Sequence, residues 1–350
     1  MSDLEGMSQN IRESQLPGES DGSFNMSAES VFPLNTSEHE PEFSSNKSLS
    51  GRQVAWRRFK SHRLAMISLI FLVLLVIVVS FANLIAPYGY QVQNLHQLLK
   101  GPSLAHWMGT DNLGRDEFSR LLYAGRISLL VGLTVSLSSG IIGTLVGAIA
   151  GYYGRWIDNL LMRVTDLFLT VPLLVVLIIG STLLSGGVLG IIIILSLFFW
   201  MYAARIVRGV FMSLKEQEFV ESARSIGSSH LRIIVLQILP NAFGPILVCM
   251  TLGVAQAILT ESSLSFLGFG IQPPTPSWGN MLNDAQDYFQ SAPWLLLAPG
   301  IAILLTVLAV NFVGDGLRDA LDPMQTPHRL KSQVPEAMAE IEGGYDEATA

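Results

Sequence analysis

KEQEFVESARSIGSSHLRIIVLQILP, residues 215–240, is a long polar interruption with clustered positive charge, set between two hydrophobic runs of membrane-spanning length. Glu216, Glu218, Glu221 and Arg224, interleaved with Phe219, Val220 and Ala223, predict a short helix. Gly227 is expected to stop it, because glycine enters the left-handed cap conformation at little cost. A second helix, from Ser229 to Leu239, is expected to carry Leu231, Ile234, Val235 and Ile238 on one face, with Pro240 ending the pair. By residue pattern alone, this is a pair of interfacial helices resting on lipid headgroups. Held beneath a transmembrane bundle, the same pair is also a rigid handle for a partner.

The flanks settle the class. Half of the 350 residues are hydrophobic and only 14% are charged, proportions foreign to a soluble domain. Six runs are long enough, or nearly so, to cross a hydrocarbon core of roughly 30 Å as helices: Leu64–Ala86, Ile127–Ala150, Leu167–Ser185, Val188–Ala204, Ala242–Thr260 and Pro293–Val313. None alternates as a barrel strand does, so the fold expected is an all-α bundle of six transmembrane helices. Arg52, Arg57, Arg58, Lys60 and Arg63 crowd ahead of the first run and place the N-terminus in the cytosol. Arg155 and Arg163, the 215–240 stretch, and Arg318, Arg329 and Lys331 then fall on the same side, so both termini are expected to be cytosolic. Lys100, Arg115, Arg120 and Arg126 fall outside, against the rule, although Asp111, Asp116 and Glu117 offset them.

Three motifs carry a resemblance. Glu221, Ser222, Ala223, Gly227, Leu239 and Pro240 are similar to the loop that binding-protein-dependent ABC importer permeases present to their ATPase subunits; Ser222 stands where alanine is usual and Gln237 where an apolar residue or histidine is. Gly109, Thr110, Asp111, Gly114, Arg115, Asp116 and Arg120 resemble the dipeptide and oligopeptide branch, in its C-type subunit with the shorter external domain. LSFLGFG and PPTPSWG, within Glu261–Leu282, resemble the same branch. The resemblance runs from about residue 55 to 325. It implies a coupling helix seated in a cleft of the ATPase, with Glu218 and the loop residues above as the contact set. It implies partners as well: a second permease chain, two ATP-binding cassette subunits and an extracytoplasmic substrate-binding protein, in a bacterial inner membrane. Dipeptides or oligopeptides are the cargo implied first, with nickel chelates, glutathione and other small solutes carried by close relatives.

Domain limits follow: a disordered tail over 1–50, a first transmembrane helix and external segment over 51–126, the permease domain over 127–323 and a C-terminal tail over 324–350. No apolar stretch precedes residue 63, so no signal peptide is expected. Asp111, Gly114, Arg115 and Asp116 predict a polar turn, and Glu117–Tyr123 a short helix feeding the second span. Gly143, Gly147 and Gly151 form a small-residue stripe that packs either within the chain or against a partner permease. Asp166 is read as meeting a helix N-terminus. Pro172, Pro245 and Pro299 are placed for kinks near the starts of spans. Glu261, the deepest acid, serves either as a helix-to-helix hydrogen bond or as a contact for a substrate amine in the pathway. Gly268 and Gly270 predict a turn, and Trp278 is read as an interfacial anchor. Asp315, Arg318, Asp319 and Asp322 predict a charged cytosolic edge.

Several chemistries are missing from the sequence. There is no glycine-rich loop ending in Lys-Ser or Lys-Thr, so no phosphate cradle of the P-loop kind is expected; ATP and Mg belong to partner subunits. Histidines at 39, 62, 96, 106, 230 and 328 lack metal-ligand spacing, Cys249 is the single cysteine, and no hydrolase constellation or nucleic-acid patch stands out. The chain is therefore read as a transport subunit and not an enzyme. A stand-alone secondary transporter or channel is the alternative, but such a protein calls for ionisable residues deep in several spans, and only Asp166 and Glu261 come near.

Overall fold

The computed structural model describes residues 51–184 and 187–321. Both tails expected at 1–50 and 324–350 lie outside the described residues, as do Ser185, Asp322, Arg329 and Lys331. The chain opens with α1 (Gly51–Ser61), α2 (Arg63–Ser80) and the short α3 (Ala82–Ile85). An extended segment leads into α4 (Glu117–Tyr153), followed by α5 (Arg155–Thr170), α6 (Leu173–Leu183) and α7 (Val188–Leu214). Then come α8 (Glu218–Ser225), α9 (His230–Arg232), a π-helical turn at Ile233–Ile238 and α10 (Leu239–Phe266). The amphipathic α11 (Trp278–Ala285), a 3₁₀ turn and α12 (Trp294–Leu321) complete the described chain.

Five helical stretches are long and apolar enough to span a membrane: α2, α4, α7, the path from α9 through α10, and α12. The sixth expected span is broken. α5 and α6 meet at an 85° bend, so Leu167–Ser185 is not one straight helix. Pro172 has no N–H to donate and crowds the carbonyl four residues back, and it forces Val171 extended (φ −81°, ψ 132°). With 11 residues, α6 rises roughly 16 Å, about half the hydrocarbon thickness.

The glycine stripe packs within the chain. A Cβ on Gly143 would stand 2.7 Å from the Trp200 carbonyl oxygen, one on Gly147 would stand 2.5 Å from the Ala204 carbonyl oxygen, and one on Gly151 would stand 2.7 Å from the Arg208 carbonyl oxygen. α4 and α7 therefore touch backbone to backbone in parallel, four residues per step on each. Gly132 and Gly140 seat α10 against another side of α4, on Ile258 and Met250. α12 closes against α2, where Gly316 meets Ala65 and Phe59.

At the end of the bundle where α4 begins, buried charge fixes the extended segment. The expected turn at Asp111–Asp116 is present, with Gly114 left-handed at φ 68°. Asp111, almost fully buried, accepts from Arg115 Nε at 2.6 Å and Arg120 Nη1 at 2.5 Å. Asp284 on α11 accepts from Arg120 Nη2 at 2.9 Å. Asp116 caps α4 through the Ser119 N–H at 2.8 Å and meets His106 Nδ1 at 2.8 Å. Glu117–Tyr123 is not a separate short helix: the hydrogen-bond ladder runs unbroken into the span, because nothing between the Asp116 cap and Gly154 interrupts it.

Candidate functional site

The segment between α7 and α10 builds an outward-facing helix on a buried footing. α7 ends at Leu214, and Gln217 turns the chain extended (φ −80°, ψ 148°) ahead of α8. Glu218 and Glu221 fall in the first turn of α8, where the helix dipole favours acids. Val220 and Ala223 point inward and join Tyr152, Val207, Phe211, Ile233, Ile238 and Ala242 in one apolar cluster. Glu218, Phe219, Glu221, Ser222 and Arg224 are exposed, and Ile226 is 83% exposed.

Gly227 ends α8 as expected, in the left-handed region at φ 79°. Its N–H donates to the Arg224 carbonyl at 3.0 Å, and the Ser228 N–H reaches back to the Ala223 carbonyl at 3.1 Å. This pair of bonds is a Schellman cap, which satisfies carbonyls that the helix end would otherwise leave open.

Beyond the cap, the structure departs from the expected second helix. α9 passes through the π turn into α10 without a stop, and Pro240 does not end the pair. It lies inside the continuous helical path, directly after the π turn, where the wider hydrogen-bond ring accommodates a residue that has no N–H to donate. The expected face of Leu231, Ile234, Val235 and Ile238 holds in part: Ile238 is buried and Ile234 packs against the same apolar cluster. Leu231 and Val235 are exposed, while Ile233 and Ile238, five residues apart, are fully buried. The wider π turn, bonded i to i+5, brings every fifth residue back to one side. Leu239 is half-buried and Pro240 exposed; of the expected contact set, Ala223 faces the chain's own core and offers no surface to a partner.

Polar ties hold this footing to neighbouring helices. Tyr152 Oη, near the end of α4, lies 2.8 Å from His230 Nδ1. Arg208 on α7 donates to both oxygens of Asp158, at 2.5 and 2.7 Å, and so clamps the first turn of α5. Asp166 does not cap a helix: it sits inside α5 and accepts from Arg205 Nη2 at 2.6 Å, both groups half-exposed. Sequence spacing gave no signal for Tyr152, His230 or Arg208, whose partners lie 50 to 78 residues away.

Glu261 is fully buried. Its carboxylate accepts from Ser265 Oγ at 2.7 Å and from Ser128 Oγ at 3.3 Å, and Ser128 Oγ in turn accepts the Trp278 N–H at 3.2 Å. The acid therefore joins α4, α10 and α11 as a helix-to-helix link, the first of its two expected roles, and it is absent from the lining of the cavity between α4, α7, α10 and α12. Trp278 is likewise not an interfacial anchor. It is 1% exposed among Val79, Leu129 and Ile258, and its indole N–H donates to the Leu121 carbonyl at 3.2 Å. Among the described residues, no group of His, Cys, Asp and Glu is placed to hold a metal ion.

The sequence of this loop and its supporting helices is that of a known family. Residues 143–326, more than half of the chain, match the family described as binding-protein-dependent transport system inner membrane component. The chain belongs to this family. Residues 50–102 of the permease also match the N-terminal transmembrane domain of oligopeptide transport permease C. It is 41% identical over 300 residues to the dipeptide transport system permease protein DppC of Alkalihalophilus pseudofirmus, covering 85% of this chain and 99% of that one. It is 46% identical over 272 residues to the glutathione transport system permease protein GsiD of Escherichia coli, covering 77% and 89%. Among solved structures, inward-facing MetNI methionine ABC transporter aligns over 56% of this chain and 94% of that chain, at 17% identity and a TM-score of 0.46. The permease is thus a multi-pass inner-membrane component of a transport system, and α8 falls wholly inside the matched region.

Proposed function

We propose that this permease forms one half of the membrane path of an ATP-driven importer of small peptides, and that α8 is the element gripped by an ATPase subunit. The observation that carries the reading is the split of α8 into two faces. Val220 and Ala223 root it in the bundle, while Phe219, Glu221, Ser222 and Ile226 stand free at the end of a membrane-embedded chain. An exposed aromatic and an exposed isoleucine beside carboxylates form a compact protein-docking surface. α8 is rooted by Val220 and Ala223 in an apolar cluster shared with α4, α7 and the π turn, and the Tyr152–His230 and Asp158–Arg208 ties join the helices around that cluster, so force on α8 passes to the bundle.

The remaining parts follow from the family. A second permease chain completes the path, two ATP-binding cassette subunits bind ATP and Mg, and an extracytoplasmic binding protein delivers cargo. With no phosphate cradle in its sequence, this chain supplies no catalytic group. The α8 end and both termini face the cytosol, as the basic residues ahead of α2 direct. ATP closes the ATPase pair and moves α8; the nucleotide shifts the permease between inward and outward states only by binding the two with unequal affinity. Cargo of the peptide class is supported by relatives named for dipeptide and glutathione transport.

Gentle extraction of the tagged chain from its native membrane tests this. A second multi-span permease and P-loop ATPases should co-purify, and the reconstituted complex should take up dipeptides only with ATP and the binding protein. A chain that purifies alone and moves solute without ATP overturns the proposal.

A further inference from the structure

Between α4, α7, α10 and α12, with Leu173 of α6 at one edge, lies a cavity of about 560 Å³. Its volume suits a small ligand. Most of its wall is apolar; Ser136 and Ser139 of α4 spend their hydroxyls on the Met250 and Ser136 carbonyls, and three further polar side chains enter it near the middles of three membrane-length helices. Tyr202 stands at the centre of α7, and Gln256 of α10 and Asn311 of α12 each stand about 5 Å along the axis from their helix centres. None of the three side chains hydrogen-bonds to another described residue. Tyr202 and Gln256 are exposed and Asn311 is half-exposed.

An open amide at mid-membrane depth is costly against lipid, where nothing returns its hydrogen bonds. Three such groups around one hollow mark a face that meets water and polar solute. The lining contains no Asp, Glu, Lys, Arg or His. The charges nearby are withdrawn: Arg205, one turn from Tyr202, is paired with Asp166, and Glu261, one turn and a half beyond Gln256, is buried toward Ser128. Fixed charge in a path selects cargo by sign. This wall has none.

We infer that the cavity is the permease's face of the solute path, with Tyr202, Gln256 and Asn311 as neutral hydrogen-bonding stations that admit peptides of either charge sign. The inference rests on the importer reading and adds where cargo passes and what the passage ignores. Sign selection then falls to the delivering protein.

The test uses the whole complex with its ATPases and binding protein in proteoliposomes, with glycyl-glutamate and glycyl-lysine as probes. Gln256→Glu and Asn311→Asp each place a carboxylate on the wall and should shift the uptake ratio toward glycyl-lysine by about tenfold relative to the unmodified complex. Cys249, the chain's single cysteine, lines the same cavity, so the unmutated chain supplies a second measurement. A water-soluble methanethiosulfonate should modify it and block uptake, and transported dipeptide should slow the reaction. An unchanged ratio in both variants, or full modification of Cys249 with uptake intact, overturns the inference while leaving the importer standing. Loss of the second permease from the Gln256→Glu complex would reassign the cavity to contact between permease chains. Absence of ATP-dependent uptake of either dipeptide by the unmodified complex would instead overturn the importer reading, and this inference with it.

Discussion

Gly227 is the position where backbone geometry and coupling can be separated most cleanly. Its φ of 79° lies in the left-handed region, and nothing stands within 4 Å of the place a Cβ would take. Substitution there acts through the backbone and not through packing. Alanine costs about 1–2 kcal/mol in this conformation, a factor of roughly 5–30 in the population of the capped bend. Asparagine, which tolerates the left-handed region, should lose less than about threefold. Proline is a different case. Its φ is fixed near −65° and it removes the N–H that donates to the Arg224 carbonyl, a penalty of roughly 3 kcal/mol or more, above a hundredfold in population. Uptake per molecule of permease in the membrane should therefore fall in the order Gly, Asn, Ala, Pro, with Gly227→Pro inactive while still membrane-inserted. The assay is ATP-dependent uptake in vesicles, normalised to permease abundance and paired with ATPase co-purification. Full uptake by the proline variant with ATPase bound, or an asparagine variant weaker than the alanine one, would refute the role given to the capped bend.

Gly147→Val should lower the thermal midpoint of the solubilised complex, at an overpacking cost of about 1–3 kcal/mol, because the Ala204 carbonyl it strikes is backbone and cannot swing aside. Gly209→Ala, with open space at its Cβ position, should leave the midpoint nearly unchanged. Arg120→Met leaves Asp111 and Asp284 to Arg115 alone and should cost about 3 kcal/mol, read as increased protease cleavage at the α4–α11 end; Arg120→Lys should not fully restore it, since two separate guanidinium nitrogens are engaged. Ile226→Asp alters an exposed side chain and should leave thermal stability within about 0.5 kcal/mol, yet co-purifying ATPase should fall by about tenfold or more.

How far the sequence reaches depends on the range of each interaction. Spans announce themselves through composition, and Gly227 through the conformation that only glycine adopts freely, so both read correctly from the chain alone. Pro172 was visible too, yet whether a proline bends a helix gently or breaks it by 85° depends on what receives the two halves. The face after α8 came out half right, Ile234 and Ile238 on the core and Leu231 and Val235 off it, because periodicity arguments assume 3.6 residues per turn and a π turn resets the count. Trp278 was misplaced because its partner Leu121 lies 157 residues away, and the same distance problem left two readings of Glu261 open, since Ser128, 133 residues off, stands beside it only in the fold. Gln256 and Asn311 had a legible signal, an amide inside an apolar run, but only the assembled bundle places them around one cavity.

The unbroken path from His230 to Phe266 joins two places that the chain otherwise keeps apart. Its 37 residues rise about 55 Å, so the cap of α8 and the Glu261–Ser265 link are fastened near opposite ends of one continuous helical rod. Tilting such a rod by 5° about its α8 end sweeps the other end through about 5 Å, nearly the pitch of one helical turn. A displacement of that size, delivered to the shoulder where α4, α10 and α11 meet, exceeds the span of any hydrogen bond holding it. A small angular change at the α8 end would thus be felt as the making or breaking of contacts at the opposite end of the same helix.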